Sequence, residues 1–150
     1  MGKRSKGRAL LLQALYASRL SGRNLTDCLE DQLARRDSAD ETARFARELG
    51  RKLVGHAKGA ERSLGPLLAN WDLARVGLLE RLILTLAVVE LRESPEVPPR
   101  VVINEACELA RQFCTEEAVK FVNGVLDRAA HELDPGAGPP ADADPGADRP

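Results

Sequence analysis

Leu78-Leu79-Glu80-Arg81-Leu82-Ile83-Leu84-Thr85-Leu86-Ala87-Val88-Val89-Glu90-Leu91 decides the fold of this chain. Its apolar residues recur at helical intervals, yet Leu78, Leu79, Leu82, Ile83, Leu86, Ala87 and Val89 cover most of a helix circumference rather than one stripe. A helix from about Val76 to Leu91 that is apolar nearly all round has to be surrounded by other elements. Glu80, Arg81 and Glu90 make the run too short and too charged to cross a bilayer, so it reads as the central helix of a globular protein.

The segments on either side are also helical. Leu11, Leu12 and Leu15, with Ala14 beside them, recur at three- and four-residue intervals within a helix from about Arg4 to Leu20, which Ser21-Gly22 ends. Asn24 is placed to cap a short second helix whose apolar side is Leu25, Cys28, Leu29 and Leu33. Ser38-Ala39-Asp40-Glu41 has the pattern of a capping box opening a third helix, with Phe45, Leu49, Leu53 and Ala57 facing inward. Gly59 and Gly65-Pro66 are expected to weaken or break that helix, although Leu64, Leu67 and Leu68 keep the period going to Asn70. Beyond the central helix, the prolines at 95, 98 and 99 impose a rigid connector. Two more apolar stripes follow, one on Val102, Ala106, Leu109, Ala110 and Phe113, the other on Ala118, Phe121, Val122, Val125, Leu126 and Ala129. No stretch alternates like a strand between hairpin turns. The expectation is an all-α domain over residues 1–133. Residues 134–150, almost entirely Asp, Pro, Gly and Ala, form a tail too poor in apolar side chains to fold.

Composition narrows the function. With 43% hydrophobic and 30% charged residues, the chain can bury a core and keep a solvated surface. A net charge of −1 means that any polyanion-binding surface must come from uneven placement. The placement is uneven: Lys3, Arg4, Lys6, Arg8, Arg19 and Arg23 precede the first carboxylate, Asp27. Cys28, Cys107 and Cys114 have neither metal-ligand nor disulfide-framework spacing, and His56 and His131 stand far apart. No nucleophile elbow, phosphate-cradling glycine loop or metalloprotease motif occurs, so neither enzyme activity nor a cofactor is expected. Free thiols and the lack of a leader-like apolar run point to the reducing cytoplasm and away from a membrane.

Two features call for an explanation. Cations at a helix start oppose the macrodipole, so Lys3, Arg4, Lys6 and Arg8 suggest an anionic partner, with a merely solvated terminus as the alternative. Tyr16, two turns on from Arg8, is either a stacking surface for a base or a half-buried core aromatic. In Phe121-Val122-Asn123-Gly124-Val125, a glycine inside a helix costs about 1 kcal/mol relative to alanine, so close approach of another backbone is expected at Gly124. Phe121 itself reads as core or as an exposed stacking platform.

Gln13-Ala14-Leu15-Tyr16 after a basic start, the central helix, Val102-Ile103-Asn104-Glu105-Ala106-Cys107-Glu108-Leu109-Ala110 and Lys120-Phe121-Val122-Asn123-Gly124-Val125-Leu126-Asp127 together resemble the NusB family of bacterial transcription antitermination factors, from about Arg4 to Leu133. That resemblance implies about seven helices in two packed bundles and binding of single-stranded boxA RNA from ribosomal operons. It further implies pairing with the small-subunit ribosomal protein that doubles as NusE, and assembly with NusA, NusG and RNA polymerase. Carried over residue by residue, it assigns RNA contacts to Lys3, Arg4, Lys6, Arg8, Tyr16, Glu117 and Phe121, and a protein-partner contact to Glu80. The chain departs from the family where Ser5 and Gly7 dilute the basic run; Gly7 lowers helix propensity, which suggests a segment that orders on RNA. Glu117 should repel phosphate and keep affinity moderate in the absence of the partner. A similar domain fronts some ribosomal-RNA cytosine methyltransferases, but no cofactor-binding α/β domain fits in this length. Monomer and homodimer both remain open.

Overall fold

The computed structural model describes residues 2–69, 71 and 76–133, so the expectation for the tail falls outside it. Among the described residues the chain forms six helices and no strand: α1 (Lys3–Ser21), α2 (Leu25–Arg36), α3 (Asp40–Leu67), α4 (Leu78–Glu93), α5 (Pro99–Phe113) and α6 (Glu116–Leu133). The all-α expectation holds, with six helices here against the seven implied. They group into two compact units, Met1–Ala57 and Lys58–Pro150.

In the first unit α1 packs on α2, and the first half of α3 completes the core. Leu11, Leu12 and Ala14 of α1 are fully buried, as are Ala46 and Leu53 of α3, while Cys28, Leu29 and Leu33 line the inner side of α2. Gly22, at φ 80°, closes α1 by donating its N–H to Ser18 O at 2.9 Å. Asn24 caps α2 as its sequence suggests, its Oδ1 accepting from Asp27 N at 2.8 Å.

The start of α3 differs from expectation. Its first helical residue is Asp40, so the cap falls on Ala39, whose carbonyl accepts from Ala43 N at 3.0 Å. The Ser38 hydroxyl therefore lies one residue too early for a capping box, and it is buried without a hydrogen-bond partner among the described residues. Glu41 instead reaches Lys3 of α1. The glycines do not break α3, which continues along the Leu64 and Leu67 period. It runs through Gly59 and stops one residue after Pro66, near enough to the helix end that few backbone bonds are affected.

In the second unit α4, α5 and α6 pack on one another as a three-helix bundle. Every residue of α4 from Leu82 to Glu90 is buried, the all-round burial that the apolar run demands. Thr85 fits this interior because its hydroxyl donates to Arg81 O at 2.8 Å, one turn back. The proline connector behaves as read: Val97 N closes a turn on Ser94 O at 2.9 Å, and Pro99 opens α5 at the position where a missing N–H costs nothing. Among the described residues, no helix is long and apolar enough to cross a membrane.

Candidate nucleic-acid interface

The basic residues at the chain start lie on a formed helix. α1 begins at Lys3, and Lys3, Arg4 and Lys6 are exposed along its first turns. Arg8 is not exposed; only 3% of its surface meets solvent. Arg4 and Arg8 stand one turn apart on one face, and both reach the ring of Phe45 on α3, with guanidinium carbons 5.2 and 4.8 Å from its centroid. Gly7, between them, faces the same contact. A β-carbon there would lie 3.0 Å from Phe45 Cδ1 and 3.2 Å from the Thr42 carbonyl, so the glycine is what lets α1 approach α3. The expectation drawn from its low helix propensity is thereby corrected: Gly7 is buried inside a continuous helix and serves packing. Lys3 adds an ion pair to Glu41 at 3.4 Å, with both side chains more than half exposed. Tyr16 is half-buried further along α1.

The other assigned residues meet in the second unit. Glu80, Glu117 and Phe121 line one groove of about 530 Å³, together with Trp71, Val76, Thr115, Ala118 and Lys120. The beginnings of α4 and α6 explain the acids. Glu80 lies in the first turn of α4, its carboxylate folded back on Gly77, and Glu117 lies in the first turn of α6, where Thr115 Oγ1 caps Ala118 N at 3.1 Å. A carboxylate in the first turn of a helix is stabilised by the unpaired N–H groups there, so both acids also have a structural reason. Glu80 touches Cys114, whose thiol is pushed up to about 11, first by burial and then by the carboxylate's charge and hydrogen bond.

Phe121 is buried and meets Trp71 edge to face, with centroids 4.8 Å apart and planes at 81°. Trp71, half-buried, is the more exposed ring of the pair. Gly124 does not accommodate a backbone, as its sequence context suggests; among the described residues its missing side chain faces Trp71 Cζ2 at 4.0 Å. Sequence reasoning missed Trp71, Lys120 and Phe45's role. Aromatic scarcity was the available signal: one Trp, one Tyr and three Phe in 150 residues, of which Phe45, Trp71 and Phe121 stand at the two candidate surfaces.

Comparison with known proteins agrees with this arrangement. A family model described as NusB family matches residues 5–131. The transcription antitermination protein NusB of Sodalis glossinidius is 36% identical over 132 residues, spanning 88% of this chain and 94% of that protein. The structure of T. maritima NusB superposes with a TM-score of 0.76 at 29% identity, covering 88% of this chain and 92% of the other. A crystal structure of the antitermination factors NusB and NusE in complex with dsRNA matches with a TM-score of 0.79 at 26% identity, covering 88% and 98% of the two chains. With the match running from Ser5 in the first turn of α1 to His131 in the last turn of α6, this chain belongs to the NusB family.

Proposed function

We propose that this protein is a non-catalytic RNA-binding adaptor in transcription antitermination, which holds single-stranded boxA RNA of ribosomal operons together with a NusE-type ribosomal protein. The observation that carries the proposal is the likeness, over most of both chains, to a NusB solved with NusE and dsRNA. The geometry supports a division of labour. Lys3, Arg4 and Lys6 supply phosphate contacts from a preformed helix, with Arg8 buried beneath them adding positive potential. Tyr16 and Glu117 face unpaired bases, Phe121 backs the groove from its buried place against Trp71, and Glu80 meets the protein partner. Assembly with NusA, NusG and RNA polymerase follows from the same role, in the cytoplasm where transcription takes place.

The test is an anisotropy titration of boxA-type RNA, with and without a NusE-type protein, beside a scrambled RNA. Binding of boxA-type RNA should be tighter than that of the scrambled RNA and should strengthen with the partner. The slope of log affinity against log salt should be about −0.7 per phosphate contact. Arg4→Glu with Lys6→Glu removes two exposed cations and should weaken binding by on the order of 100-fold, at roughly 1.5 kcal/mol per charged contact, with helical circular dichroism unchanged. Equal affinity for both RNAs would reduce the activity to nonspecific binding, and unaltered affinity of the double variant would remove the RNA role from the start of α1. A homodimer that resists RNA would show as a concentration-dependent loss of binding.

A further inference from the structure

We propose that Phe45 is a positioning residue of the RNA site: its ring, on α3, holds the guanidiniums of Arg4 and Arg8 in place on α1 before RNA arrives. This rests on the reading that the start of α1 binds RNA, and it adds a residue on another helix that no family motif quoted above contains. Three observations converge on it. Both guanidinium carbons lie within cation–π range of one ring, at 5.2 and 4.8 Å. A β-carbon at the neighbouring Gly7 would crowd Phe45 at 3.0 Å and the Thr42 carbonyl at 3.2 Å, so the glycine favours the helix–helix approach that brings the ring to the arginines. Lys3 is tied to the same stretch of α3 through Glu41.

The chemistry follows from the shape of guanidinium. An arginine stacked on a ring uses its face and leaves its in-plane N–H donors at the edge free to fork onto a phosphate. A stacked arginine has also already given up much of the rotamer freedom that phosphate binding would otherwise remove. Arg4 is exposed, while Arg8, buried, contributes charge beside the ring. Two like charges at one ring repel, and an incoming anion relieves that repulsion. The first turns of α3 therefore act as a template for a divalent cationic site that α1 alone, with only backbone helicity, would leave splayed.

Phe45→Leu keeps an apolar side chain on α3 but removes the ring, whereas Phe45→Tyr keeps the ring. In the full-length protein, Phe45→Leu should weaken boxA-type RNA binding by about three- to tenfold, the range expected from the exposed cation–π contact of Arg4, and make the salt slope shallower by up to about 0.7. Phe45→Tyr should bind within about twofold of the parent. In a double-mutant cycle with Arg4→Gln, the combined variant should lose less than the product of the separate losses, because the ring acts through the arginine. Thermal midpoints by circular dichroism confirm that the proteins compared are folded. Equal losses for Leu and Tyr, or fully independent losses in the cycle, would overturn the positioning role. Unchanged binding by Phe45→Leu would do the same while Arg4→Glu with Lys6→Glu still loses RNA. If that charge-reversed variant binds normally as well, it is the RNA reading of α1 that fails, a result separate from the Phe45 outcome.

Discussion

The two candidate surfaces are built in opposite ways. In the first unit an aromatic ring, Phe45, lies beneath cations that are its reason for mattering; in the second, Phe121 and Trp71 form the wall of a groove and carboxylates stand at its edge. The cations of α1 sit at a helix start where the macrodipole disfavours them, so something outside the helix must account for them. The acids of α4 and α6 sit where the dipole favours them and need no ligand at all. Charge alone therefore makes the first surface a candidate for binding, while the second is a candidate through its aromatic pair and its concavity. It follows that the two should respond differently to mutation, the first in affinity and the second in stability.

The largest expected effect is at the aromatic pair. Phe121→Ala removes a buried ring and the edge-to-face partner of Trp71, and should cost about 3–5 kcal/mol in denaturant unfolding, with a red shift of the single tryptophan's fluorescence. A loss below about 1 kcal/mol, within the range of surface substitutions, would mean that Phe121 is a free platform after all and would erase the contrast.

Gly7→Ala is the next step down and tests the first surface from beneath. Alanine gains about 1 kcal/mol of helix propensity over glycine, but overpacking against Phe45 and the Thr42 carbonyl costs about 1–3 kcal/mol. A net loss of about 1 kcal/mol is expected in thermal or denaturant unfolding, together with weaker RNA binding as Phe45 is pushed from the arginines. Net stabilisation would show that the helices separate easily and that the close approach has no structural weight.

These contrasts also explain what could be read from the sequence. The α4 stretch announced its own burial, because nine successive buried residues require apolarity on all sides and little else produces it. Asn24 was legible because a cap acts within three residues, and the proline connector because proline acts on its own backbone. Ser38 misled because the pattern Ser-x-x-Glu leaves the cap position uncertain by one residue, and that offset transfers Glu41 from the helix start to Lys3. Gly7 and Gly124 each looked like a local weakness, yet Gly7 answers to the ring of Phe45, far away in sequence, whereas at Gly124 a β-carbon would meet Trp71 only at the ordinary contact distance of 4.0 Å. The basic side chains were visible in the sequence. The ring that organises two of them was not, because Phe45 follows the helical stripe of an ordinary core residue and only the packing of α1 on α3 gives it a second use.

The smallest effect concerns the electrostatics of the groove, and it separates burial from charge. The Cys114 thiol titrates at about 11 rather than 9.0, with burial the first cause and Glu80 the second. The folded state thus favours the neutral thiol: any stability it contributes is complete below about pH 9 and is lost as pH rises from 9 through 11. The thiolate is the reactive form, so at pH 8 alkylation of Cys114, followed by the mass of its peptide, should be slower than that of an unperturbed thiol by on the order of 100-fold. Glu80→Gln removes the charge but leaves the burial, so the midpoint of the alkylation rate against pH should fall only part of the way and stay above 9.0. A fall all the way to 9.0 would instead make the carboxylate the dominant cause. A partial fall leaves burial as the main cause of the raised thiol, with the Glu80 carboxylate adding to it.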